Sequence, residues 1–233
     1  MKQIQIGGIT PFTTIDYPGK LAAVLFFYGC PIRCAYCSNP HLFESGGDEY
    51  DPDKVLEWLR DRQGKLDAVV FSGGEALMQG DTAIDYIKRV RDMDFKIGLH
   101  TNGFYPEVFE RALPFIDWTG IDFKTTKEQY PTLVGSTVAY DRMIQSLDIW
   151  IASKKDGEVR ITCDPRFVTK ESLVEIANLL SGRGVKTVAI QKYIPHFEPE
   201  DNKTTPEARS QFFNDNGLRA TLNSLLESVY WRE

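Results

Sequence analysis

Six short runs of β-branched and aromatic residues alternate along the chain with segments of helical period, and no other feature narrows its possible folds as far. Parallel strands need a crossover between them, usually a helix, so this rhythm describes a parallel sheet covered by helices. Strands are predicted at Ala22–Tyr28, Ala68–Ser72, Lys96–Thr101, Gly120–Lys124, Val159–Cys163 and Thr187–Tyr193. Helices are predicted near Pro52–Arg62, Thr82–Met93, Pro106–Leu113, Tyr140–Ser153 and Lys170–Ser181. Three start signals support them: Asp51 ahead of Pro52, Asp81 ahead of an apolar-periodic stretch, and Thr169 ahead of KESLVEIANLL. After the sixth strand the polar, proline-rich PHFEPEDNKTTPEA reads as a loop, and Leu218, Leu222, Leu225 and Leu226 predict a last helix over Leu218–Tyr230.

Alternation within the strands adds an inside and an outside. In the fourth, Ile121 and Phe123 oppose Asp122 and Lys124; in the fifth, Val159, Ile161 and Cys163 oppose Arg160 and Thr162. Helices packed on the outer face take the apolar set, so the ionisable set lines a concave interior and needs partners or a polar ligand there. The expected fold is α/β, a partial (β/α)6 TIM-type barrel with a polar mouth. At 233 residues the chain is read as a single domain, 1–233, with a C-terminal helical extension at about 206–233.

Charge and hydropathy set the surroundings. The 27 basic and 33 acidic residues give a net charge of −6, and Lys and Arg form no run, so no nucleic-acid partner is expected. No apolar stretch approaches the roughly 20 residues of a membrane span, and MKQIQIGGITPF lacks the apolar segment of a secretory signal, so the expectation is a cytoplasmic protein with no membrane partner. In a reducing cytosol, clustered cysteines serve metal binding or catalysis more often than disulfides.

Three of the chain's four cysteines fall within FFYGCPIRCAYCSNPHL just past the first predicted strand: Cys30, Cys34 and Cys37, spaced C-x3-C-x2-C. Four thiolates would close a [4Fe-4S] cluster, whereas three leave one iron with an open position. Tyr36 places an aromatic ring beside that loop. A bland alternative is a zinc site completed by Cys163, His41 or His196, although alternation turns Cys163 toward the helix side. Equally bland readings exist for the other polar groups: paired glycines as a simple turn, Asp122 with Lys124 as an internal ion pair, His100 as a satisfied interior histidine, His196 as a surface residue, and Arg160 as facing a partner peptide or pairing with an acidic neighbour.

The cysteine spacing, with an aromatic residue before the last cysteine, resembles the signature of the radical S-adenosylmethionine (SAM) superfamily. The likeness extends to SGGEAL, similar to that family's GGE motif with Ala76 in place of the usual proline, and to HTNGF, in which His100 stands where related activases often carry an acidic residue. IDFK resembles the D-x-K element of glycyl radical enzyme activases, followed by EQYPTLVG, and IQKYIPH is similar to their terminal PYH. DYPGK and CSNPHL look most like anaerobic ribonucleotide reductase activating proteins. Together these stretches cover most of residues 12–196.

The resemblance implies a radical SAM fold, with a [4Fe-4S] cluster on Cys30, Cys34 and Cys37 and SAM held by Tyr36, Gly73, Gly74, Glu75, Asn102, Asp122, Lys124, Arg160 and His196. It implies no catalytic residue beyond the cofactor, a large glycyl radical enzyme as substrate protein, and a one-electron donor such as flavodoxin or ferredoxin. Charge logic agrees with the ligand: Glu75 and Asp122 suit its cationic or hydroxyl groups, and Lys124 and Arg160 its carboxylate. Each motif also falls at the C-terminal end of a predicted strand, the face where β/α folds gather their sites. The rival enzyme reading is a radical SAM enzyme acting on a small molecule or peptide; the rival of another class is a non-catalytic zinc or Fe-S binding module.

Overall fold

The computed structural model describes residues 3–44, 50–196 and 203–233. Eight strands form one sheet in the order of the chain: β1 (Ile6–Thr13), β2 (Ala22–Phe27), β3 (Ala68–Gly73), β4 (Lys96–Thr101), β5 (Trp118–Asp122), β6 (Asp156–Cys163), β7 (Thr187–Lys192) and β8 (Ser228–Arg232). β1 pairs antiparallel with β2, and every later pairing is parallel. Among the described residues β1 and β8 are the two edges and do not pair with each other, so the sheet is a curved, open barrel.

Helices return the chain between strands: α1 (Pro52–Arg60), α2 (Asp81–Arg91), α3 (Pro106–Ala112), α4 (Tyr130–Val134), α5 (Ala139–Ser153), α6 (Lys170–Gly182), α7 (Pro206–Ser210) and α8 (Asn216–Leu225). Asp51 caps α1 by accepting from the backbone N–H groups of Asp53 and Lys54, and Thr169 and Ser172 form a reciprocal capping box on α6. Asp81 is the first helical residue of α2 rather than its cap; Gly80, at φ +59°, holds the cap position with no side-chain bond.

Four differences separate this fold from the sequence expectation, the first being that α7 starts inside the predicted loop, of which residues 197–202 lie outside the described ones. β1 escapes periodicity because IGGITPFT carries two glycines and a proline, residues tolerated at a sheet edge. α4 is only five residues long, too short to show a helical period. The predicted helix over Leu218–Tyr230 stops at Leu225, and Ser228–Arg232 forms a strand, its entry tied by the Ser228 N–H to the Lys186 carbonyl at 2.9 Å. The leucines carried the helical pattern to the boundary, but SVYWR is a strand sequence that needs β7 to pair with.

Alternation sorts the interior as expected. Leu25, Phe27, Val69, Phe71, Ile97, Leu99, Ile121, Phe123, Val159, Ile161 and Cys163 join the helices in the large outer core. The opposite faces turn inward, where Tyr17, Ala22, Val24, Ala68, Val70 and Trp118 form a separate small cluster that plugs the lower barrel. The Tyr17 ring, carried on the loop after β1, stacks on Trp118 at 5.4 Å.

Candidate active site

The cysteine loop leaves β2 through Gly29 and is held from two sides. The N–H groups of Gly29 and Cys30 donate to the carbonyls of Leu42 and Phe43 at 2.8 and 3.3 Å, closing the loop on itself. The N–H groups of Arg33 and Ala35 donate to Val134 and Leu133 at the end of α4, both at 2.9 Å. The Arg33 guanidinium reaches back to the Cys30 carbonyl at 2.6 Å. The EQYPTLVG stretch thus supplies the carbonyls on which the cysteine loop rests.

The paired glycines at the end of β3 lie against this loop. A Cβ on Gly73 would sit 2.2 Å from the Phe27 carbonyl oxygen, and one on Gly74 would sit 2.4 Å from that of Gly29. Only glycine fits. Because the backbones approach so closely, the Gly74 N–H donates to Phe27 O at 3.0 Å and the Glu75 N–H to Gly29 O at 2.7 Å. The Glu75 carboxylate then accepts from Leu77 N–H at 3.1 Å, the Thr101 hydroxyl at 2.9 Å and Asn102 N–H at 2.8 Å. Burial raises its pKa to about 7 against the opposing pull of those donors.

Inward-facing charges on β5 and β6 form a ladder. Asp122 accepts from the Lys124 ammonium at 2.9 Å and from Arg160 Nε at 3.0 Å. Burial alone would push the Asp122 carboxyl up, but the Arg160 and Lys124 charges outweigh it and hold it well below the usual carboxylate range. Burial likewise works against the Lys124 ammonium, and Asp122 more than compensates, so Lys124 stays charged. Lower down, Glu158, 2% exposed, is clasped by the Arg232 guanidinium of β8 at 2.6 and 2.8 Å. Gly120 makes room for the ladder, since a Cβ there would lie 3.0 Å from the Arg160 guanidinium carbon.

His100 faces the same interior. Its Nε2 lies 2.8 Å from the Asp16 carbonyl, which can only accept, so Nε2 carries the proton. Burial first, and the nearby Arg160 charge second, lower its pKa to about 3. The imidazole is neutral at physiological pH.

Above these groups opens a cavity of about 520 Å³. Cys30, Cys34 and Cys37 line one part of it, Gly73, Gly74, Glu75 and Asn102 another, and Asp122, Lys124, Tyr36, His100 and His196 also face it. The structure brings together all but one of the predicted residues. The exception is Arg160, which is absent from the cavity wall and instead buttresses Asp122 from the level of Gly120. Of the three proposed fourth ligands for zinc, Cys163 is buried in the outer core and His41 is exposed away from the cavity, whereas His196 lines it. Among the described residues no three His, Cys, Asp or Glu side chains converge as ligands of a single ion do. All four cysteines are free thiols; burial raises Cys30 to about 12 and Cys34 to about 11, the Lys124 charge opposing the shift at both.

A sequence model of the Radical SAM superfamily matches residues 24–180. The chain belongs to the radical SAM superfamily. It is 30% identical over 205 residues to a Methanocaldococcus jannaschii protein provisionally named as a glycyl-radical enzyme activating enzyme, covering 84% of this chain and 81% of the relative. It is 28% identical to the pyruvate formate-lyase-activating enzyme of Clostridium pasteurianum, over 81% of this chain and 82% of that one. Among solved structures, a domain of pyruvate-formate lyase-activating enzyme from Bacteroides vulgatus superposes with a TM-score of 0.56 at 15% identity, covering 71% of this chain and 99% of that one. Streptococcus suis SuiB bound to S-adenosylmethionine gives a TM-score of 0.63 at 13% identity, over 89% of this chain; this chain spans 51% of SuiB. These two structures share the fold, and by its family match and relatives this chain is a radical SAM enzyme.

The family implies an iron-sulfur group and SAM, and the residues present fit both. Three free thiols open on one cavity, and the glycine cradle of Gly73 and Gly74 leaves backbone accessible beside them. The Tyr36 hydroxyl is buried at the cavity with no hydrogen-bond partner among the described residues. Sequence reasoning missed several radical SAM site neighbours: Asp16, whose carbonyl orients His100; Gln191 and Tyr193 at the end of β7; and the Asp164–Arg166 pair, whose guanidinium reaches the Tyr193 hydroxyl at 3.3 Å. The DYPGK run carried the first of these as a motif, but no local pattern could say that its backbone crosses the barrel to β4.

Proposed function

We propose that this radical SAM enzyme activates a glycyl radical enzyme, using a [4Fe-4S] cluster on Cys30, Cys34 and Cys37. The observation that carries the reading is a single cavity of about 520 Å³ that three free cysteines, the Gly73–Gly74 cradle and the Asp122–Lys124 pair all line, in a chain whose extensively matching relatives are named activating enzymes. When bound, the cluster and SAM supply the hard chemistry, a one-electron reductive cleavage of a carbon-sulfur bond that gives methionine and a 5′-deoxyadenosyl radical able to take an α-hydrogen from a glycine of the partner.

The chain's own groups bind, orient and exclude water. Lys124 keeps its charge because Asp122 sits 2.9 Å away, and so offers a fixed cation to a carboxylate. Asp122, held ionised, offers an acceptor to cationic or hydroxyl groups. Arg160 acts through Asp122 by fixing its rotamer. Tyr36 packs near Tyr193 at 6.0 Å, and its unpartnered hydroxyl is available to a ligand. Neutral His100 lines the cavity without adding charge, and His196 lines it as well.

The partner we favour is an anaerobic ribonucleotide reductase, supported by the resemblance of DYPGK and CSNPHL; the electron donor is read as flavodoxin or ferredoxin, and a reducing cytoplasm suits four free thiols. Among the described residues no helix is long and apolar enough to cross a membrane. The test is anaerobic reconstitution with iron and sulfide, reduction, and addition of SAM with either a purified anaerobic ribonucleotide reductase or a pyruvate formate-lyase. Formation of 5′-deoxyadenosine and a glycyl radical signal on the reductase is the expected result. A signal on the lyase alone reassigns the partner, and a colourless protein inert toward SAM overturns the enzyme's proposed chemistry.

A further inference from the structure

Asn102 is the first residue beyond β4, and its side-chain amide has one orientation open to it. Its Oδ1 accepts the Phe104 N–H at 3.0 Å. A flipped amide would set NH2 against that N–H, so Nδ2 must point the other way. It points at the Cys30 sulfur, 3.7 Å away, within reach of a hydrogen bond to sulfur.

The spacing between donor and sulfur is held from both ends by one residue. The Glu75 carboxylate receives the Asn102 backbone N–H at 2.8 Å, and the Glu75 N–H donates to the carbonyl of Gly29, the residue before Cys30, at 2.7 Å. The Thr101 hydroxyl, also on Glu75, accepts the Gly103 N–H at 3.0 Å and completes the turn that carries Asn102. Asn102 is 8% exposed and Cys30 6%, so little water competes for either group.

The geometry points to Asn102 as a positioning residue that donates a hydrogen bond to the Cys30 sulfur and thereby raises the reduction potential of the cluster this thiolate holds. The inference rests on the cluster reading above. Hydrogen bonds to ligating sulfurs are one of the settings of an iron-sulfur potential: a donor stabilises the extra negative charge of the reduced state more than the oxidised one. Cys34 and Cys37 lack an equivalent side-chain donor among the described contacts, so the three sulfurs are not electrostatically alike. Asn102 thus joins the GGE clamp to the electronics of the site, and Glu75 acts as the common anchor.

The test is a redox titration of the reconstituted chain followed by EPR without SAM or partner, paired with resonance Raman spectra of the iron-sulfur stretches in H2O and D2O. Asn102→Ala removes the donor; the midpoint potential moves to a lower value, and part of the D2O-induced shift of the stretching bands disappears. Asn102→Asp keeps the acceptor for Phe104 but aims an oxygen at the sulfur, so the potential falls further. Full iron content with unchanged potential and unchanged isotope shift in both variants overturns the inference alone. Loss of iron from both variants overturns it in favour of a purely structural role. A wild-type chain that holds no cluster sinks the proposed function, and this inference with it.

Discussion

The lower and upper halves of the barrel interior come from the same strands yet follow opposite chemistry. On β3, Val70 packs in the apolar plug while Ser72, two residues on, lines the cavity; on β5, Trp118 belongs to the plug and Asp122 to the cavity. Alternation keeps each pair on one face, so only distance along the strand separates packing from chemistry. The lower half excludes water and holds the strands in register. The upper half contains buried charge that is tolerable only because Lys124, Asp122 and Arg160 satisfy one another. Stability and ligand binding therefore share strands but not ends, as the C-terminal face of β/α folds generally allows.

That division can be broken experimentally, beginning with the largest effect. Replacing Cys30, Cys34 or Cys37 by Ala should abolish cluster assembly and SAM cleavage while the far-UV circular dichroism is unchanged, because the loop is also held by Leu133 and Val134. An unfolded variant would show the thiols to be part of the core. Next comes Trp118→Ala in the plug, which removes the stack on Tyr17 at 5.4 Å and should cost about 3–5 kcal/mol in denaturant unfolding. SAM affinity at the other end should change little; a matching loss of affinity would mean that the halves are coupled.

Lys124→Met probes the upper half alone. SAM binding should weaken by about 10–100-fold, the worth of a hydrogen bond to a charged group, with iron content intact and stability near wild type because Arg160 still neutralises Asp122. Unchanged affinity by calorimetry would mean that the ion pair is only structural. The smallest effect is in pH dependence. Folded His100 titrates near 3 against 6.5 for its free value, so only the unfolded chain takes up its proton between those values. Its contribution is present above about 6.5 and drains as the pH falls toward 3. Glu75, raised from 4.5 to about 7, has the opposite sign: its contribution is present at low pH and is lost as the pH rises through 7. His100→Gln should therefore flatten the acid side of the stability profile, measured by chemical unfolding between pH 4 and 7, and an unaltered slope would refute a buried neutral imidazole.

Much of the site was legible because its signals are local. The spacing of Cys30, Cys34 and Cys37 needs no tertiary information, and alternation alone turned Asp122, Lys124 and Arg160 inward and Cys163 outward, as the burial pattern has it. Less legible was whatever depends on a distant neighbour. Arg160 was read as a ligand contact or as the partner of an acidic neighbour, and Gly120, with no side chain, lets its guanidinium fold against Asp122. Glu75 was read as facing the ligand and does line the cavity, but no local pattern says that Thr101, Asn102 and Leu77 also donate to its oxygens. Ser228–Tyr230, the first residues of β8, were read as helix because the partner strand β7 lies 36 residues or more upstream, beyond any local window.

The one-dimensional pattern determined the strand and helix rhythm, the two faces of each strand and the three-thiol loop, because those depend on periods of 2 and 3.6 residues and on short spacings. Only the tertiary structure decided that β1 and β8 flank an open barrel, that Asp16 reaches His100, and that Glu75 binds Gly29 to Asn102. Hydrogen bonds between residues dozens of positions apart follow from how strands stack and where loops return. No local propensity encodes that.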